Sequence, residues 1–213
     1  MQNFHDLIGG FHHFRANYFL KEKEFFESLA HSQSPKTLVI ACCDSRTDPA
    51  IILRCKPGEL FVVRSVAAIV PPPEKAGEYD AVMAAVEYGV KHLSVKNIVV
   101  MGHSNCGGIA GLLNPHAIRS ERYINRWVSL ACPAVHKIDA ENENLSDAEK
   151  SRLCEEGAVL LSLENLLSYP WIEEAVQSGS LALHALYYDM RKGTLNVWNS
   201  ELEDFEETSK LTD

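Results

Sequence analysis

The chain has 213 residues, 46% of them hydrophobic, and a formal net charge of −9, which is enough chain and apolar mass for one domain with a continuous core. Its Lys and Arg residues are scattered, so a phosphate backbone would meet repulsion and nucleic acid is excluded as an expected partner. No apolar run approaches the ~20 residues that span a bilayer, so no membrane partner is expected, and the opening MQNFHDLIGGFHHF has neither signal nor transit character.

A cytoplasmic protein is the expectation, with its six cysteines held as thiols, because a core of this size needs no stapling. In the first 35 residues Phe11, Phe14, Tyr18, Phe25, Phe26 and Leu29 recur at helical spacing, up to Ser34-Pro35. This predicts a helical arm. The run Thr37 to Ala41, rich in branched residues, predicts a strand covered on both faces. A second strand, Leu60 to Arg64, follows the turn Pro57-Gly58. A helix from about Tyr79 to His92 follows the prolines at 71 to 73, and a third strand runs from 97 to 102.

GGIAGLL at 107 to 113 predicts a helix start, and 121 to 138 and 146 to 168 two further helices. Between them Asn144-Leu145-Ser146-Asp147 supplies a turn, with Ser146 and Glu149 spaced as a capping box. LALHALYYDM, Lys192-Gly193 and TLNVW predict a closing strand pair. Residues 201 to 213, with Glu201, Glu203, Asp204, Glu206 and Glu207, read as a solvated acidic tail. The alternation of strands and helices predicts an α/β fold, a mainly parallel central sheet flanked by helices. One domain over 1–213 is expected: arm 1–35, core 36–200, tail 201–213.

Reactive side chains concentrate in Cys42-Cys43-Asp44-Ser45-Arg46 and in His103-Ser104-Asn105-Cys106-Gly107-Gly108, each directly after an expected strand. Open parallel sheets collect ligands outside the carboxyl ends of their strands, so these distant segments can share one site. Period-two geometry points Cys42 and Asp44 to one side and Cys43 to the other. Two thiolates, an imidazole and a carboxylate make a donor set suited to zinc, with Asp or water at the fourth position deciding between a closed and an open site. A structural zinc module, a thiol redox pair at Cys42-Cys43 and hydrolysis of a small heterocumulene are the alternatives.

The two segments resemble the C-x-D-x-R and H-x-x-C signatures of beta-class carbonic anhydrases. FVVR at 61 to 64, Glu87-Tyr88-Gly89-Val90 and Gly102-His103-Ser104 fall in that family's order. The resemblance implies one Zn2+ per chain on Cys42, His103 and Cys106, and zinc-bound hydroxide that hydrates carbon dioxide to bicarbonate. It implies Asp44 and Arg46 as a catalytic carboxylate-guanidinium pair, with Asp44 a fourth ligand only in a closed state. Gln33 matches the plant-type subclass, as do Phe61, Val66 and Tyr88 for an apolar substrate pocket. The Gln33 amide and backbone N–H groups near Gly107 and Gly108 are the expected donors to the developing product charge.

The likeness also implies a homodimer or homotetramer, with the N-terminal helices packing on a partner subunit. In one departure Ser65-Val66-Ala67-Ala68 stands where the family has Asn-x-x-Asn, which is expected to alter packing rather than activity.

Overall fold

The computed structural model describes residues 3–78, 80–141 and 145–210; Tyr79, Asn144 and the end of the expected tail lie outside them. It divides into two compact units, Met1–Ser34 and Pro35–Asp213. The first carries helix α1 (Phe4–Phe14), a π-helical turn (Arg15–Phe19) and α2 (Lys23–His31). Asn3 and Asp6 form a capping box at the start of α1. Phe14, Tyr18 and Phe26 stack edge to face, 5.2 to 5.7 Å between centroids. Phe4, Leu7 and Phe11 are exposed.

In the second unit the chain runs β1 (Thr37–Cys42), α3 (Pro49–Ile52), β2 (Leu60–Ser65), α4 (Ala81–Lys91), β3 (Asn97–His103), α5 (Gly107–Leu113) and α6 (Pro115–Ile118). It continues through α7 (Arg122–Val128), α8 (Cys132–Glu141), α9 (Asp147–Leu167), α10 (Pro170–Gln177), β4 (Ala182–Asp189), β5 (Thr194–Asn199) and β6 (Asp204–Glu207). The sheet order is β2-β1-β3-β4-β5-β6, parallel from β2 to β4 and antiparallel from β4 to β6.

β1 and β3 are apolar without alternation because both faces are covered. Leu38, Ile40, Ile98 and Val100 enter one core with Val86 of α4 and with Val159 and Leu166 of α9. Val39, Ala41, Val99 and Met101 enter the opposite one. Parallel register, Ala41 beside Met101, brings the carboxyl ends of β1 and β3 side by side, so the two reactive segments leave the same sheet edge.

Three stretches differ from their sequence patterns. The helix expected over 121–138 is split into α7 and α8 by a 3-10 turn at Ser129–Ala131, and Pro133, which has no N–H to donate, sits in the first turn of the second piece. α10 was not anticipated; it opens with Pro170 at its first position, where the missing N–H is harmless. The tail expected to be solvated from residue 201 instead supplies the edge strand β6. One inward aromatic decides this: Phe205 is 6% exposed and packs on Trp198, 5.3 Å between centroids, while its acidic neighbour Asp204 faces water. Ser146 and Glu149 form the expected capping box at the start of α9.

Phe205→Ala removes that packing and is expected to cost about 3 kcal/mol, read from urea unfolding. A variant as stable as the parent would show that β6 adds nothing to the core.

Candidate metal centre

Cys42 ends β1, His103 ends β3, and Cys106 is the N-cap of α5. All three are buried, and one ligand atom from each lies within 4.8 Å of the others. The two sulfurs are 4.0 Å apart. His103 Nδ1 lies 3.0 Å from the Ser104 carbonyl, which assigns the proton to Nδ1 and leaves the lone pair on Nε2. Among the described residues Nε2 is the one buried side-chain nitrogen or oxygen without a hydrogen-bond partner. An orphaned polar atom costs about 1–3 kcal/mol, and a cation between the sulfurs would use its lone pair. Two sulfurs and an imidazole with a fourth place free fit zinc.

Hydrogen bonding from Cys106, opposed by burial, holds the Cys42 thiol below its ordinary range, with His103 and the backbone of Asp44 and Ala67 helping. Cys106 is pushed up by its bond to Cys42, then by burial. A bound dication would displace the protons that these two buried thiols hold. Burial pulls the His103 pKa down, but the neighbouring Cys42 sulfur, the Ser104 carbonyl and the charge of Asp44 leave it raised overall.

Beside the cluster, Asp44 Oδ2 stands 4.0 Å from His103 Nε2. Arg46 clamps that carboxylate from three donors: Nε to Oδ1 at 2.9 Å, Nη2 to Oδ2 at 2.6 Å and the backbone N to Oδ1 at 3.0 Å. These bonds, led by the guanidinium, hold Asp44 well below the usual carboxylate range. Arg64 ties the same loop to β2, donating from Nε to the Cys42 carbonyl at 2.8 Å and from Nη2 to that of Asp44 at 2.6 Å. Arg64 was legible in FVVR, but nothing in that motif said which carbonyls it would reach. Cys43 is exposed and all six cysteines are free.

The segment after β2 forms the apolar wall. Val66 packs in the same cluster as Cys42 and Cys106, and the Ala67 N–H donates to Cys42 Sγ at 3.3 Å. Ala67 and Ala68 both have positive φ, 60° and 54°. An Ala in this region costs about 1–2 kcal/mol that Asn tolerates better, which gives a physical reason for the second Asn of the resembling motif, at the position of Ala68. Side chains hold the strained turn: Trp127 Nε1 donates to the Val66 carbonyl at 2.9 Å, Asn165 Nδ2 to that of Val70 at 2.8 Å, and the Ser65 hydroxyl to that of Ile69 at 3.3 Å.

The other expected site residues fall elsewhere. Phe61 and Tyr88 lie together, 5.8 Å between centroids, but Phe61 pairs in register with Leu38, whereas Cys42 pairs with Ser65. At roughly 3.3 Å per residue Phe61 sits about 13 Å down the strand, with the Tyr88 ring of α4 beside it, so one chain does not bring the pair to the three candidate ligands. Gln33 is exposed in the first unit. The Gly108 N–H, expected to face substrate, is turned with that of Ile109 toward Cys106 Sγ and favours its thiolate. This follows from Cys106 being an N-cap, whose side chain faces the second and third helical N–H groups. Gly107 is open to solvent.

A buried trio of two sulfurs and an imidazole at the carboxyl edge of a parallel sheet is a group that could hold a metal ion in an α/β protein. Residues 37–195 match the family model described as Carbonic anhydrase. The chain is 42% identical to beta carbonic anhydrase 3 of Arabidopsis thaliana, covering 92% of this chain and 77% of that one. It is 40% identical to the chloroplastic beta carbonic anhydrase 5 of the same plant, over 92% of this chain and 64% of that one, so it spans just under two thirds of the latter's length. The solved beta-carbonic anhydrase CcaA superposes with a TM-score of 0.88 at 32% identity, over 94% and 90% of the two chains. A tetrameric beta-carbonic anhydrase of Sordaria macrospora gives 0.80 at 29%, over 91% and 95%. The chain belongs to the carbonic anhydrase family, in its beta class.

A Cβ at Gly108 would lie 2.7 Å from Val66 Cγ1 and 3.0 Å from Ala67 Cβ, whereas one at Gly107 would meet nothing. Gly108→Ala is expected to destabilise by about 1–3 kcal/mol and to loosen the Ala67 contact with Cys42, with Gly107→Ala near neutral. Equal unfolding midpoints for the two variants would contradict this packing.

Proposed function

We propose that this chain catalyses the reversible hydration of carbon dioxide to bicarbonate and a proton, with one zinc ion per chain held by Cys42, His103 and Cys106. The observation that carries the reading is the unpartnered His103 Nε2, facing two buried sulfurs and standing 4.0 Å from an Asp44 that Arg46 holds aside. Zinc bound there supplies a nucleophile at neutral pH by bringing the pKa of coordinated water down to about 7.

The protein's own part is orientation. Asp44 Oδ2 spends one lone pair on Arg46 Nη2 and has another with which to accept a hydrogen bond from the attacking water, aiming its lone pair at substrate. Arg46 keeps the carboxylate ionised, so Asp44 acts as an acceptor across the working pH range, and the same bonds hold it off the metal position. Release by Arg46 would free Asp44 to close the site as a fourth ligand. Val66 offers an apolar flank for an apolar substrate. His103 Nδ1 stays protonated on the Ser104 carbonyl, which fixes the ring.

Gln33, Phe61 and Tyr88 enter this reading as groups supplied by a second copy in a homodimer or homotetramer. Support comes from three features: the free edge of β2, Tyr88 left 46% exposed beside Phe61, and the exposed apolar residues of α1. Some relatives are tetrameric. A cytoplasmic location belongs to the same proposal, supported by six free thiols; among the described residues no helix is long and apolar enough to cross a membrane.

Stopped-flow hydration assays with zinc measured on the same sample test this function. The expected result is one zinc per chain, none in Cys42→Ser, and in Asp44→Asn full zinc with turnover lower by about a hundredfold or more. Near-normal turnover in Asp44→Asn would remove Asp44 from the mechanism; zinc-loaded parent without hydration would remove the function. Light scattering is expected to show a dimer or larger, and a fully active monomer would exclude the shared site.

A further inference from the structure

Cys106 is the N-cap of α5, and its own N–H donates to Glu155 Oε1 at 3.0 Å. In a capping box that N–H is satisfied by a Glu or Gln at the third helical position, but α5 has Ile109 there. Glu155 does the same work from α9, on another part of the fold. Its second oxygen, Oε2, accepts the Tyr187 hydroxyl from β4 at 2.7 Å, and Ser151 Oγ lies 3.4 Å from Oε1. Glu155 is 4% exposed and Tyr187 1%.

No cation pairs with this carboxylate among the described residues. The nearby Arg152 gives its Nε to Glu156 at 2.9 Å and lies over the Tyr187 ring. A buried carboxylate is costly unless its hydrogen bonds are complete, and packing alone would be served by Leu or Met. The close bonds of Glu155 end on the backbone of a metal-ligand residue and on a phenol that holds it there. Burial, and then the bond to Glu155, push the Tyr187 phenol well above its usual range, so it stays an O–H donor.

We infer that Glu155 is a positioning residue for the zinc centre: as a capping acceptor from outside α5, steadied by Tyr187, it sets the Cys106 backbone so that Sγ faces Cys42 and His103. The acceptor that a side chain at the third helical position would otherwise offer to the Cys106 N–H comes from α9 instead. This inference rests on the zinc reading above.

Chelator competition for zinc at neutral pH tests it, on the parent, Glu155→Leu, Glu155→Gln and Tyr187→Phe, with cobalt(II)-substituted absorption spectra and unfolding midpoints recorded alongside. Glu155→Leu is expected to bind zinc about 10- to 100-fold more weakly with an altered cobalt-thiolate band. Glu155→Gln keeps an acceptor for the Cys106 N–H and is expected to recover most of the affinity, with Tyr187→Phe intermediate. Parental zinc affinity and cobalt spectrum in Glu155→Leu, with only a lower unfolding midpoint, would overturn the inference. Should Glu155→Leu not fold, Tyr187→Phe decides, and parental affinity there overturns it. A parent that binds no zinc, or binds it equally in Cys42→Ser, would bring down the zinc reading itself and this inference with it.

Discussion

Two thiols and an imidazole packed within 4.8 Å of one another, with Nε2 of the imidazole left bare, make an arrangement that an apolar interior does not favour by itself. Two neighbouring sulfurs cannot both ionise without a cation, and the protonated pair leaves a buried nitrogen unsatisfied. A dication resolves both problems, since it turns the sulfurs into ligands and the bare lone pair into a bond. The folding of this edge and the occupancy of the site are therefore linked, and the surrounding structure reads as a means of holding three donors together before the metal arrives.

That holding is done mostly by backbone, and the backbone is held by side chains from elsewhere. Arg64 grips the carbonyls that follow β1, Arg46 the carboxylate beyond them, and Glu155 the N–H of Cys106. Ala67, at positive φ, aims its N–H at the Cys42 sulfur, and this strained turn persists because Trp127 and Asn165 occupy its carbonyls. Strain of this kind survives where its surroundings over-determine it. The polar residues around the metal ligands act through geometry more than through their own net contribution to stability.

The sheet's inner strands were plain in the sequence because β1 and β3 are short apolar runs followed at once by reactive residues, and strand order put both runs at one edge. β6 was hidden because one Phe in an acidic stretch carries too little pattern to oppose the charge around it, and only a neighbouring edge with Trp198 gives that Phe a reason to turn inward. The helix break at Pro133 was readable in principle; the continuous apolar spacing masked it. Cys42, Asp44, His103 and Cys106 lie together as their spacing suggested, and Arg46, which only the family resemblance pointed to, lies against Asp44. Glu155 could not be found that way, since its partner is an N–H 49 residues away and main-chain groups leave no mark in sequence, and Tyr187 is linked to the site only through Glu155. Phe61 and Tyr88 were assigned to the pocket by the family resemblance alone, and register sets Phe61, with Tyr88 of α4 beside it, about four residues down the strand.

The charge balance of the centre explains why so much of the surrounding protein is devoted to Asp44. In the proposed zinc reading two thiolates would cancel the charge of the ion, so coordinated water would be less acidified than among three neutral imidazoles, and reactivity would have to be recovered by other means. In that reading a carboxylate held 4.0 Å from His103 Nε2 would do this by orientation, whereas an unrestrained carboxylate would serve better as a ligand than as an orienting group. Arg46 settles that competition by occupying both oxygens. With its guanidinium side chain 56% exposed, Arg46 is also the member of the pair that solvent, an anion or a neighbouring subunit can reach, so in the proposed reading any control over whether the site is open would act from the surface while the donors stay buried.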